Sequence, residues 1–380
     1  MIMHPAQAQI QQTRRDFLAT SASGLGGAAL ASLLVEDGLL AKELTNPIAP
    51  RKPHFEPTAK ACINIFMAGA PSHLDLFDPK PELNKRNGQS LPKEILDKAR
   101  FAFIKPDTAK LMGSQRTFKA HGQSGLEFSD FLPHLGLVAD DLLVVRSMHS
   151  DEFNHHPGQL LMQCGVSRFG MPTAGSWINY GLGSESKNLP GYVVLTAGRG
   201  SSGGATLWQS GFLPSSYAGV LFRSKGEPVL NLSNPKGLPP ELQRAGLNTL
   251  NAVNQGRFEK IHDPEIASRI ASYELASRMQ TAAPELIDLS KEKASTLKAY
   301  GVDRPDPGGG GRGKFGDTHQ DFARNCLLAR RMVERGVRYI NIVYASWDHH
   351  SKLDEELKYN SSVVDQPIAA LIRDLKERGL

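Results

Sequence analysis

The sequence predicts an α/β protein of three layers, α/β/α, with helices on both faces of a mostly parallel sheet. Two observations carry this. Short apolar runs closed by Gly or Pro, such as Ala61 to Ala68 before Gly69 and Pro71, have the composition of strands buried on both faces. These runs alternate with longer helical stretches, as parallel strands joined by crossover helices must.

The first 49 residues read as a leader and linker, and residues 50–380 as the folded domain. Thr13-Arg14-Arg15-Asp16-Phe17-Leu18 resembles the twin-arginine export signal, and Phe17 to Val35 follows without a charge. That stretch holds too many small residues for a stable membrane span. Ala29-Leu30-Ala31 and Leu39-Leu40-Ala41 both fit a small-residue cleavage rule. The expectation is a periplasmic or secreted protein that meets the twin-arginine translocase during export, with retention on an uncleaved leader as the alternative. This route carries folded proteins and suits one that acquires a metal before crossing.

Strands are expected at Ala61–Ala68, Leu142–Arg146, Tyr192–Thr196 and Val337–Tyr344. A helix is expected around Asp130–Ala139, helical structure over Pro264–Tyr300, and a long amphipathic helix over Thr318–Glu334, stopped by Gly336. One further helix follows the last strand. Leu207–Pro240 reads as an irregular excursion and the Gly- and Pro-rich Asp303–Gly316 as an exposed loop. In such a fold, ligands bind beyond the carboxyl ends of the strands.

Composition excludes some functions. With 44 basic and 39 acidic residues interspersed and no basic block, nucleic acid is not an expected partner. Cys62, Cys164 and Cys326 are far apart in apolar contexts and read as free thiols. Gly308 to Lys314 has the glycine and lysine spacing of a phosphate-binding loop, but Phe315 replaces the hydroxyl residue and no strand precedes it. Gly198-x-Gly200-x-x-Gly203 has dinucleotide-loop spacing, yet Ala205 to Pro214 gives no helix to receive a pyrophosphate.

The chemistry-bearing residues gather after strands. Asp348, His349 and His350 follow the Val337–Tyr344 strand beside Trp347, and imidazole with carboxylate suits zinc, manganese or iron. A solvated polar loop is the alternative. Asp75 lies just past the first strand, which a parallel sheet would bring to the same edge, although a turn-capping role fits its local sequence equally. The segment Ser147 to Pro157 carries His149, Asn154, His155 and His156 into a short helix, a setting that favours an anionic substrate, with a surface His cluster as the plainer reading. Thr173 to Trp177 reads as an ordinary helix cap.

The order of motifs extends this reading. The leader, Phe66 to Asp75, His121 to Gly125, Arg146 to His149, Gly175-Ser176-Trp177, Cys326 to Arg331 and Trp347 to His350 together resemble the exported family named domain of unknown function 1501. That family looks like a branch of the alkaline phosphatase and sulfatase superfamily. The resemblance implies an alkaline phosphatase-like fold and metal-assisted hydrolysis of phosphate or sulfate esters. It also implies Asp75, Asp348 and either His349 or His350 as metal ligands; joined to the strand-end reading, the expected set is Asp75, Asp348, His349 and His350, with zinc or manganese ahead of calcium or magnesium. His155 and His156 take catalytic roles in this reading, while His149 and Asn154 bind the anionic ester or a sulfated or phosphorylated glycan. His155 stands where sulfatases carry their Cys, Ser or Thr nucleophile, so it binds metal or phosphate itself, or water attacks directly, or the protein is a non-catalytic relative that grips such a glycan. Family members continue with further strand-end ligands, which implies that this chain is a fragment cut at Leu380.

Overall fold

The computed structural model describes residues 46–98, 105–309 and 311–380. The expected export leader and its cleavage sites lie outside the described residues. Pro47–Leu380 forms one compact unit.

The main sheet has four strands, β1 (Cys62–Met67), β4 (Tyr192–Ala197), β5 (Val220–Phe222) and β6 (Tyr339–Tyr344), in the order β1-β6-β4-β5 and parallel throughout. β2 (Phe118–His121) and β3 (Leu126–Ser129) form a separate antiparallel hairpin. The helices are α1 (His155–Cys164), α2 (Ala174–Leu182), α3 (Pro240–Ile261), α4 (Pro264–Ile287), α5 (Ala294–Tyr300), α6 (Thr318–Val333) and α7 (Leu353–Arg378), joined by shorter helical turns.

Alternation along each strand sorts side chains between two layers. Ile340, Ile342 and Tyr344 of β6 and Val193 and Leu195 of β4 face a core completed by Phe322, Cys326 and Leu327 of α6 and by Leu357 and Val364 of α7. Tyr339 and Val343, with Tyr192 and Val194, face the other way, against Ile178 of α2 and Trp208. Each aliphatic side chain so buried contributes roughly 1.5–3 kcal/mol. Asn341 is also fully buried, between Asn64 of β1 at 3.1 Å and Gln163 of α1 at 3.3 Å, which pins α1 over the sheet. The three-layer α/β/α class read from the sequence is therefore the observed one.

Several elements differ from expectation. Leu142–Arg146 is extended coil without a strand partner: Leu142 and Val144 rest on the core while Leu143 is 88% exposed, so the alternation reflects one-sided packing without a ladder. The helix expected around Asp130–Ala139 is a 3₁₀ segment, Leu135–Asp141, kinked at Val138. Pro264–Tyr300 divides into α4 and α5, because the Asp288 carboxylate accepts the Ser290 amide and turns the chain. The excursion Leu207–Pro240 contains β5, too short to show a period. The loop Asp303–Gly316 is anchored, since Asp306 accepts from the Tyr359 hydroxyl at 2.9 Å and pairs with Lys314 at 3.2 Å. Among the described residues no helix is long and apolar enough to cross a membrane.

Candidate metal centre

β1 and β6 end side by side, and their pairing continues past both strands. Ala68 N–H donates to Tyr344 O at 2.9 Å and Trp347 N–H to Ala68 O at 3.2 Å. The loop that follows β6 is held from below. The Trp347 indole is buried, edge-on to Tyr344 at 5.8 Å, and anchors the polar residues after it. Asn360 of α7, fully buried, accepts from the Tyr344 hydroxyl at 2.7 Å and donates to Ser346 O at 2.8 Å and to His349 Nε2 at 3.0 Å. Ser346 has φ +82° and Ala70, in the facing loop, +68°, left-handed conformations that non-glycine residues adopt at a cost of about 1–3 kcal/mol each.

Three donors converge on this platform. His155 Nε2, from the first turn of α1, lies 3.0 Å from Asp348 Oδ2, and His350 Nε2 lies 2.7 Å from the same oxygen. The three ligand atoms fall within 4.8 Å of one another. His350 Nε2 hydrogen-bonds the Asp348 carboxylate oxygen, and His155 Nε2 stands at ion-pair distance from it. A zinc ion takes such donors at about 2.1 Å, which on a tetrahedron separates them by about 3.4 Å. By that measure each His–Asp348 separation needs to open by less than 1 Å, and His155 and His350 are exposed enough to rotate. Two imidazoles and one carboxylate suit zinc or manganese better than calcium or magnesium, and three protein ligands leave a fourth position open. The residues present fit a divalent ion.

The other predicted site residues lie elsewhere. Asp75 is buried beyond β1, but its oxygens accept from Ser72 Oγ and Ser114 Oγ, each at 2.6 Å, a structural turn role apart from the trio. His349 is not among the clustered ligand atoms. Its Nε2 accepts from Asn360, so its proton is on Nδ1, and burial lowers its pKa below the ordinary value against the opposing pull of Glu356 and Asp348. His156 Nε2 stands 3.3 Å from Thr206 Oγ1; that hydroxyl donates to Gly203 O, so His156 is the donor. His149 and Asn154 are exposed at the approach to α1. His155, expected in a catalytic role, sits among the ligand atoms.

Sequence reasoning missed Asn360 and Gln159. Asn360 falls on the apolar stripe of α7 with Leu357 and Val364, and a lone amide on such a stripe signals a buried polar task. Gln159 fastens α1 to the loop after β4, its Oε1 accepting from Ser201 Oγ at 2.8 Å and Gly203 N–H at 3.3 Å and its Nε2 donating to Ser202 Oγ at 3.2 Å. The glycine-spaced run Gly198–Gly203 thus braces the helix that presents His155.

A family profile described as protein of unknown function (DUF1501) matches residues 59–380. The chain belongs to that family. Its match spans both β1 and β6 and therefore the whole strand-end platform. Neither the curated proteins nor the solved structures contain a match to this DUF1501 member.

Proposed function

We propose that this DUF1501 protein is an exported, metal-dependent hydrolase of phosphate or sulfate esters, belonging to the alkaline phosphatase and sulfatase superfamily and carried by the twin-arginine route to the periplasm or beyond. The observation that supports it is the sharing of Asp348 Oδ2 by His155 Nε2 and His350 Nε2 at the carboxyl end of a parallel sheet. Zinc or manganese held there would supply Lewis acidity to the ester.

The chain's own residues divide the remaining work. Asp348 fixes the orientation of both imidazoles. His155 and His350 would hold a cation through their Nε2 atoms, with Asp348 supplying a carboxylate oxygen. His149 and Asn154 stand beside the α1 N-terminus, whose free amides favour an anionic group, and offer ring N–H and amide donors to ester oxygens. His156, held as a donor to Thr206, keeps Nδ1 as an acceptor.

A second reading is a glycan-binding relative without turnover. It is favoured by the engagement of His155 with Asp348, which leaves the position expected for a nucleophile occupied by a ligand. Metal analysis of the purified protein and of Asp348→Ala, with turnover of aryl phosphate and aryl sulfate, separates the readings. Metal lost in Asp348→Ala together with wild-type turnover supports the hydrolase, bound metal without turnover supports the binding protein, and unchanged metal content refutes the site.

A further inference from the structure

Beside the candidate centre lies a band of exposed aromatic rings that no step above uses. His156, the neighbour of His155, meets the edge of Phe169 at 5.0 Å. The backbone after Phe169 is packed against the loop that carries Phe212, for a Cβ on Gly211 would stand 2.4 Å from Met171 C and Pro172 N. Phe212 contacts Trp177 at 5.6 Å, and Trp177 contacts Tyr180 at 6.0 Å. The far end is fixed: Arg51 lies 5.5 Å over Tyr180 and hydrogen-bonds the Tyr180 carbonyl. Phe169, Phe212 and Trp177 are 61%, 62% and 43% exposed.

We propose that this band, Phe169–Phe212–Trp177–Tyr180, is a stacking platform for the sugar rings of an acidic oligosaccharide whose ester end reaches His155, Asp348 and His350. The proposal names the substrate class of the hydrolase reading and rests on it for the position of the ester. Three arguments lead to a glycan. The C–H face of a pyranose is apolar and slightly positive, matching the negative face of an aromatic ring, while its hydroxyls stay in water. Phe212, Trp177 and Tyr180 are held by one another and Phe169 by His156, so little side-chain entropy is lost when a ligand stacks on them. Finally, three aromatic side chains of about 150–250 Å² at these exposures present only about 350 Å². A stable protein interface needs about 800 Å² per partner, whereas a patch near 400 Å² is of the size that marks a ligand site. The contact of Phe169 with His156 joins the band to the first turn of α1, which also carries His155.

The test is calorimetric titration of the whole protein, Trp177→Ala, Phe212→Ala and Asp348→Ala with hexasaccharides of chondroitin sulfate, desulfated chondroitin and cellulose. Wild type is expected to bind at least one of the two chondroitin chains more tightly than cellulose, and each aromatic variant to bind it at least tenfold more weakly, with Trp177→Phe restoring most of the loss. Asp348→Ala is expected to keep its affinity for the desulfated chain. Turnover of a small aryl ester by Trp177→Ala should match wild type, since that substrate does not reach the band. Equal affinities across wild type and both aromatic variants overturn the platform, as does failure of wild type to bind either chondroitin chain more tightly than cellulose. Self-association of wild type that Phe212→Ala abolishes also overturns it, assigning the band to a contact between copies. If ring-dependent binding persists but no ester is turned over, the hydrolase reading fails alone.

Discussion

Gly69 lies against the backbone of Asp348: a Cβ built on Gly69 would stand 2.6 Å from the Asp348 amide nitrogen and 3.0 Å from the Trp347 carbonyl carbon. Its φ of +104° also falls where side-chain-bearing residues are strained. The end of β1 thus sets the height of the loop that carries two of the three candidate ligands. Gly69→Ala is expected to cost about 1–3 kcal/mol of stability and to weaken zinc retention at least tenfold, measured by denaturant melts and chelator competition. Retained zinc affinity in a folded variant would show that the loop keeps its position without β1.

Asn360 acts from the opposite side. Replacing it with Leu keeps the volume but leaves the buried Tyr344 hydroxyl only its longer contact with Gly313 O at 3.3 Å, and removes the donors to the Ser346 carbonyl and to His349 Nε2. Each unsatisfied buried group costs about 1–3 kcal/mol. Asn360→Leu should therefore unfold at distinctly lower denaturant, and ¹⁵N spectra should show the His349 proton no longer confined to Nδ1. A fixed tautomer in the variant would mean that Asn360 does not control that ring.

The layer order was legible because β1, β4 and β6 are continuous apolar runs and α6 carries an amphipathic stripe, both patterns that arise from burial alone. Leu142–Arg146 misled because Leu142-Leu143-Val144-Val145 is an apolar run of strand length, yet only Leu142 and Val144 pack on the core while Leu143 and Val145 are exposed. Within the site, Asp348 and His350 follow a strand in sequence and were legible as candidate ligands. The position of His155 was also legible at the head of α1, but its engagement with Asp348 depends on how α1 is fixed by Gln159 and Gln163, which no local spacing records. Asp75 shows the opposite limit: its strand-end location is as expected, but Ser114, distant in sequence, takes up one carboxylate oxygen.

A buried ion network closes the helical layer. Arg330, 3% exposed, meets Glu292 and Glu334 at 2.8 Å and Asp374 at 3.1 Å, while Arg331 meets Glu292 at 3.1 Å. Glu292 serves both guanidinium groups, so its removal leaves two buried cations short of a partner. Glu292→Ala is expected to cost about 3 kcal/mol, within the range for breaking a buried pair, and Glu292→Gln less. The exposed pair Lys85–Glu82 provides the contrast: Lys85→Ala should leave the denaturation midpoint unchanged, because exposed pairs contribute little. Equal effects at the two sites would show that burial does not set the strength of the network.

His319 makes stability depend on pH. It is 2% exposed, and Arg304 donates to its Nδ1 at 2.8 Å. Ser362 Oγ donates to Tyr359 O and so accepts from His319 Nε2, which fixes the neutral ring. Protonation would break the Arg304 bond and place two cations together, so burial first and Arg304 second push the pKa from 6.5 down to about 4. Between those values the unfolded chain binds the proton and the folded chain does not. Stability from this ring is therefore complete above pH 6.5 and falls as the pH drops toward about 4, by about 3 kcal/mol over the whole window. His349, lowered in the same direction by burial, adds to the slope. In His319→Gln the amide oxygen still accepts from Arg304 but does not titrate. Urea melts of wild type at pH 7 and pH 5 should differ clearly more than those of the variant, and parallel losses in the two proteins would assign the acid sensitivity to other groups.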